Sequence, residues 1–230
     1  MPASITIQLP RRVIDYADER AAFFFMSNLS SVGASGFDRR VTSPQNELDR
    51  IQIADIYAIN STMMARTGYA HWTQFTGVAG PLSWLQHLDT SWNLLTMEDT
   101  AWTSSDCAAR ILAALQVVMG PYRTTSITTK LLHLKRPNLL PVCDSYVCAM
   151  LGEKSGGPAQ TMRLITAVRD VGRFNLGALT EISKRLKSIG IDRTLVRILD
   201  SLLWSAYPDS GPDAEFARWL VQWHQGRLFF

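Results

Sequence analysis

Ser126, Lys130, His133 and Asp144 are spaced so that one helix flank and one helix mouth can face a common ligand. Ile127, Leu131 and Leu134 follow the i, i+4, i+7 rule, and a helix that buries this stripe turns Ser126, Lys130 and His133 onto one neighbouring polar flank. Pro137 and Pro141 then break the pattern, Leu139 and Leu140 form a short apolar connector, and Asp144 falls where the next helix, carrying Tyr146, Val147, Met150 and Leu151, begins. A carboxylate so placed is favoured in its ionised form by the peptide dipoles.

That arrangement can hold a nucleobase, and one chemistry open to it, implied by a family resemblance of Ser126 to Leu151, is cleavage of an N-glycosidic bond. The transition state is oxocarbenium-like and calls for a carboxylate near the sugar and a held water. Asp144 is the residue to do both, although Asp is also among the best N-caps and needs no further role there. Lys130, one turn after Ser126, suits a phosphate contact or, if desolvated, a Schiff-base amine; the plain reading is an exposed helix lysine. His133 shares that flank. The four histidines, at 71, 87, 133 and 224, have no metal-ligand spacing, so no metal and no cofactor are expected.

A base turned out of a duplex has to stack on an aromatic ring. Tyr122 and Phe37 are the chosen candidates; Tyr69, Trp72, Trp84, Trp92 and Trp102 read mainly as packing residues, and Trp204, Trp219 and Trp223 as structural. Phe37 lies in a Gly33 to Arg40 loop with Arg39 and Arg40, which suits a mobile phosphate or base contact or, equally, a surface loop anchored by the ring.

The elements that must position these residues are helical nearly throughout. Helices are predicted over 11–29, 49–65, 81–88, 106–119, 158–171, 176–188, 195–204 and 213–225, besides the two around Asp144. Residues 30–45, rich in Gly, Ser and Pro, read as a loop. Ser104 or Ser105 and Asp192 are the predicted caps of the helices that follow them, and Gly190 is a predicted C-terminal stop. The best period-two run is Ser4 to Leu9, so little or no sheet is expected.

At 230 residues, with 47% hydrophobic and 19% charged residues, the chain has an ordinary globular balance. It reads as a single helical domain with lobes about 1–119 and 120–230. No apolar run reaches the roughly 18 residues of a membrane span, and the expected location is cytoplasmic. Cys107, Cys143 and Cys148 lack CxxC spacing and read as reduced apolar residues. The net charge of +3 divides unevenly: 8 Lys and Arg against 11 Asp and Glu up to residue 119, then 15 against 9 from residue 120. A basic second half suits a polyanion such as duplex DNA, or else solvated helix faces. The cluster Lys184, Arg185, Lys187, Arg193 and Arg197 reads as such a solvated face.

Ser126 to Leu151 resembles the helix-hairpin-helix superfamily of DNA base-excision glycosylases, in which a Pro-hydrophobic-x-Asp turn carries the catalytic aspartate; Pro141-Val142-Cys143-Asp144 matches that turn. The resemblance implies a two-lobed helical array with Asp144 as the catalytic carboxylate. By the family's spacing Ser126 stands where bifunctional members carry a lysine, which resembles the monofunctional, adenine-excising branch. The family's Gly-hydrophobic-Gly hairpin is replaced by Gly120-Pro121-Tyr122-Arg123-Thr124-Thr125, so Arg123, Thr124 and Thr125 would grip phosphate by side chain. The iron–sulfur ligands of some relatives are missing.

Most of the chain also resembles an uncharacterised, mainly actinobacterial family of domains of unknown function. Its pattern is met by Phe37-Asp38, Ile53-Ala54-Asp55, Lys130 to Pro137, Pro141 to Asp144 and Leu199 to Trp204. The expected function is a DNA-glycosylase-like hydrolase of a damaged or modified base. The alternatives are a non-catalytic nucleic-acid-binding or protein-interaction module, in phage defence or a mobile element, and a hydrolase of small nucleotides or nucleosides.

Overall fold

The computed structural model of the protein describes residues 4–10, 12–30, 34–63, 83–104, 106–119, 124–207 and 212–225. It is mostly helical, with one two-stranded antiparallel sheet, as an all-α reading requires. Strands β1 (Ile7–Gln8) and β2 (Val13–Ile14) pair Ile7 with Ile14. Helix α1 (Ala17–Ser30) follows, then α2 (Ala34–Thr42), α3 (Ile53–Met63) and the short α4 (Ser83–Gln86). Next come α5 (Asp99–Ser104), α6 (Cys107–Val118), α7 (Thr125–Lys135) and α8 (Ser145–Leu151). The chain continues through α9 (Pro158–Phe174), α10 (Leu176–Ser188), α11 (Leu195–Ser205) and α12 (Pro212–His224).

Amphipathic spacing explains most of these helices. Leu179, Ile182 and Leu186 place one apolar stripe of α10 against the core, and Gly190 stops it: at φ +83° its amide reaches the Lys187 carbonyl at 3.0 Å while Ile191 reaches Leu186 at 2.9 Å. Asp144 begins α8 as expected. Helix α11 is capped instead by Thr194, whose hydroxyl accepts from the Arg197 amide at 3.1 Å; Asp192 is used in an ion pair with Lys187. At α6 the N-cap position is held by Asp106, in a left-handed conformation at φ 56° and with no side-chain cap bond; Ser104 ends the preceding helix and Ser105 lies outside the described residues.

Three expectations are overturned. Residues 13–14 pair as a strand, so α1 starts at Ala17; burial of Ile7 and Ile14 favours the hairpin over an extra helical turn. Residues 34–42 form a helix, not a loop, because Phe37 and Asp38 are both drawn into the interior, Asp38 by two arginines. Helix α7 has no polar solvent flank: Lys130, His133 and Lys135 are as buried as Ile127, Leu131 and Leu134.

What makes α7 tolerable inside is pairing. Lys135 is 0% exposed; its ammonium lies 2.6 Å from Asp55 Oδ2 and donates to Asn46 Oδ1 at 2.8 Å and the Glu47 carbonyl at 3.1 Å. Asp55 also holds Arg40 at 2.7 Å, joining α2, α3 and α7. Arg136, just beyond α7, donates to the carbonyls of Leu48, Leu85, Leu88 and Lys135 and pairs with Asp49 at 2.7 Å. A guanidinium has five N–H donors, and here each finds an acceptor.

Breaking such a pair from one side strands a buried charge. Lys135→Ala is expected to cost about 3–5 kcal/mol, read from urea unfolding, while Arg50→Ala, whose pair with Glu47 is exposed on both sides, costs roughly 1 kcal/mol or less. Equal effects at the two positions would contradict this arrangement.

Candidate functional site

Asp144 caps α8 with one oxygen. Oδ1 accepts from the Tyr146 and Val147 amides at 3.0 and 3.1 Å, and Oδ2 accepts no hydrogen bond among the described residues. The turn before it is fixed from two sides: the Cys143 amide donates to Thr129 Oγ1 at 3.0 Å, and the Val142 amide donates to Asp200 Oδ2 at 3.2 Å. Thr129 precedes Lys130 on α7, so the same helix that carries Lys130 anchors the turn that carries Asp144.

The electrostatics differ from the sequence expectation. Burial raises the Asp144 carboxyl above its ordinary value, and the Val147 and Tyr146 amides and the charges of Lys130 and Arg197 only partly offset it. The helix-end amides therefore do not set the direction of the shift; desolvation does. Burial likewise lowers the Lys130 ammonium, Asp144 counteracts, and Arg197 adds to the lowering. Asp144 and Lys130 thus face each other electrostatically, each pushed toward its neutral form by desolvation.

The remaining predicted residues divide. Ser126 is half-buried in the first turn of α7, one turn before Lys130. Thr124 is exposed and caps α7, its hydroxyl accepting from Ile127 at 3.5 Å. Thr125 is buried and its hydroxyl is used within the protein, against the Gly156 carbonyl and Thr161 Oγ1, each at 2.9 Å, so it is no phosphate ligand. Arg123 and Tyr122, with Gly120 and Pro121 of the hairpin, lie outside the described residues, as do Tyr69 and Trp72.

His133 and Phe37 are corrected by burial. Phe37 is 0% exposed and stacks on His133 at 5.6 Å and 23°, so neither ring is offered to a base or a phosphate. His133 Nδ1 lies 2.6 Å from the Leu140 carbonyl and must be the protonated nitrogen there; burial and the nearby Arg197 push its pKa down to about 4. Lys130, 6% exposed, is not a surface phosphate contact either. Arg40 is committed to Asp55 and Gln52, whereas Arg39 is exposed on α2.

Other residues at this site were not anticipated. Tyr146, in the first turn of α8, stacks on Tyr207 at 5.1 Å and meets Trp204 edge-on at 5.8 Å, and all three are half-buried. Arg197 and Asp200 lie beneath the turn; their i, i+3 spacing on α11 was visible, but arginine read as surface. The N-terminal ends of α7 and α9 both border a cavity of about 380 Å³ lined by Thr124, Thr125, Gly156 and Pro158 among others. Among the described residues no group of three His, Cys, Asp or Glu is placed to hold a metal, and no helix is long and apolar enough to cross a membrane.

This is an all-α protein in which a helix-capping carboxylate, Asp144, is set over a buried ionic network. The chain belongs to DUF6308, a family of unknown function, whose model matches residues 17–207. No curated protein and no solved structure matches it.

Between about pH 4 and the usual histidine value near 6.5 the unfolded chain binds a proton at position 133 that the native state refuses, so His133 makes stability fall as pH falls through that window. The His133 ring resonances in an NMR titration should accordingly stay in the neutral position down to about pH 4. A midpoint at the ordinary value would contradict the buried, carbonyl-bonded ring.

Proposed function

We propose that the protein is a DNA-glycosylase-like hydrolase of an N-glycosidic bond, with Asp144 as the carboxylate that stabilises the sugar cation and orients the attacking water. The observation that carries this reading is the division of labour within Asp144: Oδ1 is used by the helix cap and Oδ2 is not. A residue serving only as a cap has no need of burial that disfavours its charge. Lys130 supplies the opposing positive field, and Ser126 stands one turn away, at the position that in the resembled superfamily separates hydrolysis from lyase chemistry.

In this reading the base stacks on Tyr146, Trp204 and Tyr207 and not on Phe37, because these rings are half-buried and Tyr146, two residues after the carboxylate, packs against the other two. Thr124 and the paired helix ends around it offer a place for a backbone phosphate. The substrate class is a damaged or modified base in duplex DNA.

A second reading, a nucleic-acid-binding or protein-interaction module without catalysis, is favoured by a separate observation. Much of the basic excess of the second half is neutralised inside the protein: Arg136, Arg169, Arg185 and Arg197 pair with Asp49, Asp99, Asp18 and Asp38. A polyanion would meet less positive charge than composition implies.

Asp144→Asn separates the two, since asparagine caps a helix about as well as aspartate. On duplexes carrying modified bases the substitution is expected to lower single-turnover excision by about 100-fold or more, with little change in unfolding midpoint. The parent rate should rise with pH through a value above the ordinary carboxylate range, because the ionised form acts and burial raises its pKa. Equal rates for parent and variant would remove Asp144 from the chemistry; duplex binding that weakens with salt but without excision would favour the module.

A further inference from the structure

Two acids stand side by side in the first turn of α1. Asp18 is buried and Glu19 half-buried, and their side chains hydrogen-bond to each other. Asp18 Oδ2 is held by Arg185 of α10 at 2.6 Å. Asp18 Oδ1 and Glu19 Oε2 are sealed from solvent and receive no N–H or O–H from any other described residue. Ionised carboxyls only accept, so two of them cannot satisfy each other, whereas one carboxylic O–H between them can. Repulsion between neighbouring carboxylates works in the same direction.

The surroundings supply little to replace that proton. Helix α1 packs against α2, α10, α11 and α12. Helix α10 brings Arg185 and also Glu181, which lies 3.7 Å from the same guanidinium. Arg20 of α1 donates to the Ser205 carbonyl of α11 at 2.8 Å and lies over the Phe216 ring of α12. Asp38 of α2 is turned to Arg193 and to Arg197 of α11, and Arg40 of α2 to Asp55. Among the described residues the charges acting on Glu19 are thus Asp18 and Arg185. Burial pushes the Glu19 carboxyl up to about 7, Asp18 adds to the rise and Arg185 opposes it. Asp18 stays below its ordinary value, against its own burial, because Glu19 and Arg185 favour its ionised form.

The turn itself is under tension. Tyr16, just before α1, is left-handed at φ 54°, which a bulky side chain resists, and its carbonyl accepts from the Arg20 amide at 2.8 Å. The Ala17 amide ties the same turn to the Ile5 carbonyl at 2.9 Å, ahead of the hairpin. We propose that the proton shared by Asp18 and Glu19 is a pH-sensitive latch that fastens the first turn of α1 to α10. When it passes to solvent, two carboxylates and Glu181 face Arg185, and the turn opens. Glu19 holds its proton more tightly in the native state than in the unfolded chain. Its contribution to stability is therefore complete below the ordinary value of 4.5 and is lost as pH rises to about 7, opposite in direction to that of His133.

Glu19→Gln replaces the shared proton with an amide donor that does not titrate. In the parent the hydrogen-exchange protection factor of the Arg20 amide is expected to fall by about tenfold between about pH 6 and pH 8, and in the variant to hold. Over the same range the unfolding constant of the parent, read in urea, should rise by about tenfold relative to that of the variant. His133 and Asp200 are common to both proteins and cancel in that ratio. A carboxyl-carbon NMR titration of the parent, which needs no variant to fold, should place the Glu19 midpoint near 7. A midpoint near 4.5, parallel pH profiles in parent and variant, or Arg20 protection indifferent to pH would each overturn the proposal.

Discussion

The structure turns on Arg197. Its guanidinium is taken out of water and held by Asp38 of α2 at 2.9 Å and Asp200 of its own helix at 2.7 Å, under the rings of Phe24, Phe25 and Phe37. Burying a charge is unfavourable unless it is paired and hydrogen-bonded, so every group that pairs it is fixed in place by that cost. Asp38 is thereby locked inward, which makes a helix of a segment whose composition favours a loop. Asp200 keeps its other oxygen for the Val142 amide, and burial raises its carboxyl to about 7 even with the arginine beside it. The Pro-Val-Cys-Asp turn is therefore held from below by a side chain fixed by Arg197. Lys130, Asp144 and His133 all sit within its field.

The uneven distribution of charge along the chain has a structural reading in the same terms. Acids of the first half, Asp18, Asp38, Asp49, Asp55 and Asp99, find partners among Arg185, Arg197, Arg136, Lys135 and Arg169 of the second. These pairs are long-range in sequence, and the buried ones discriminate strongly between correct and incorrect packing of the two halves, since a misplaced partner leaves an unpaired charge inside. An asymmetry that reads as a polyanion footprint is, at these positions, a specification of how the helices meet.

Legibility follows from this. Helix α10 and its glycine stop, the start of α8 at Asp144 and the closing helix could all be read, because each rests on apolar periodicity or a local capping rule. Helix α2, the β-hairpin and the interior position of α7 could not. Periodicity counts Lys130, His133 and Lys135 as polar and assigns them to a solvent flank; only the partners Asp144, Leu140 and Asp55, distant in sequence or across a turn, bring them inside. The acids of Phe37-Asp38, Ile53-Ala54-Asp55 and Leu199-Asp200 were visible as a pattern, yet their task is to neutralise buried cations. For the candidate site, the electrostatic relation of Lys130 to Asp144 was legible because a single short connector joins the two helices. The aromatic neighbours Trp204 and Tyr207 were not, since they arrive from α11 and just beyond it.

The proposal that one aspartate serves both structure and chemistry rests on the same physical terms. Were Asp144 a cap on an exposed helix, both oxygens would be solvated and its charge would be unremarked. Here two amides fix Oδ1, so the direction of Oδ2 is set by the backbone of α8 and not by rotamer freedom. Desolvation makes the ionised form more basic than a surface carboxylate, and Lys130 keeps that form attainable. A carboxylate that is oriented, basic and still unspent on one side is what proton abstraction from water needs. Asp200, fully buried where Asp144 is half-buried, has both oxygens taken by Arg197 and Val142 and can offer neither. What sets the two acids apart is the accounting of their lone pairs together with their exposure.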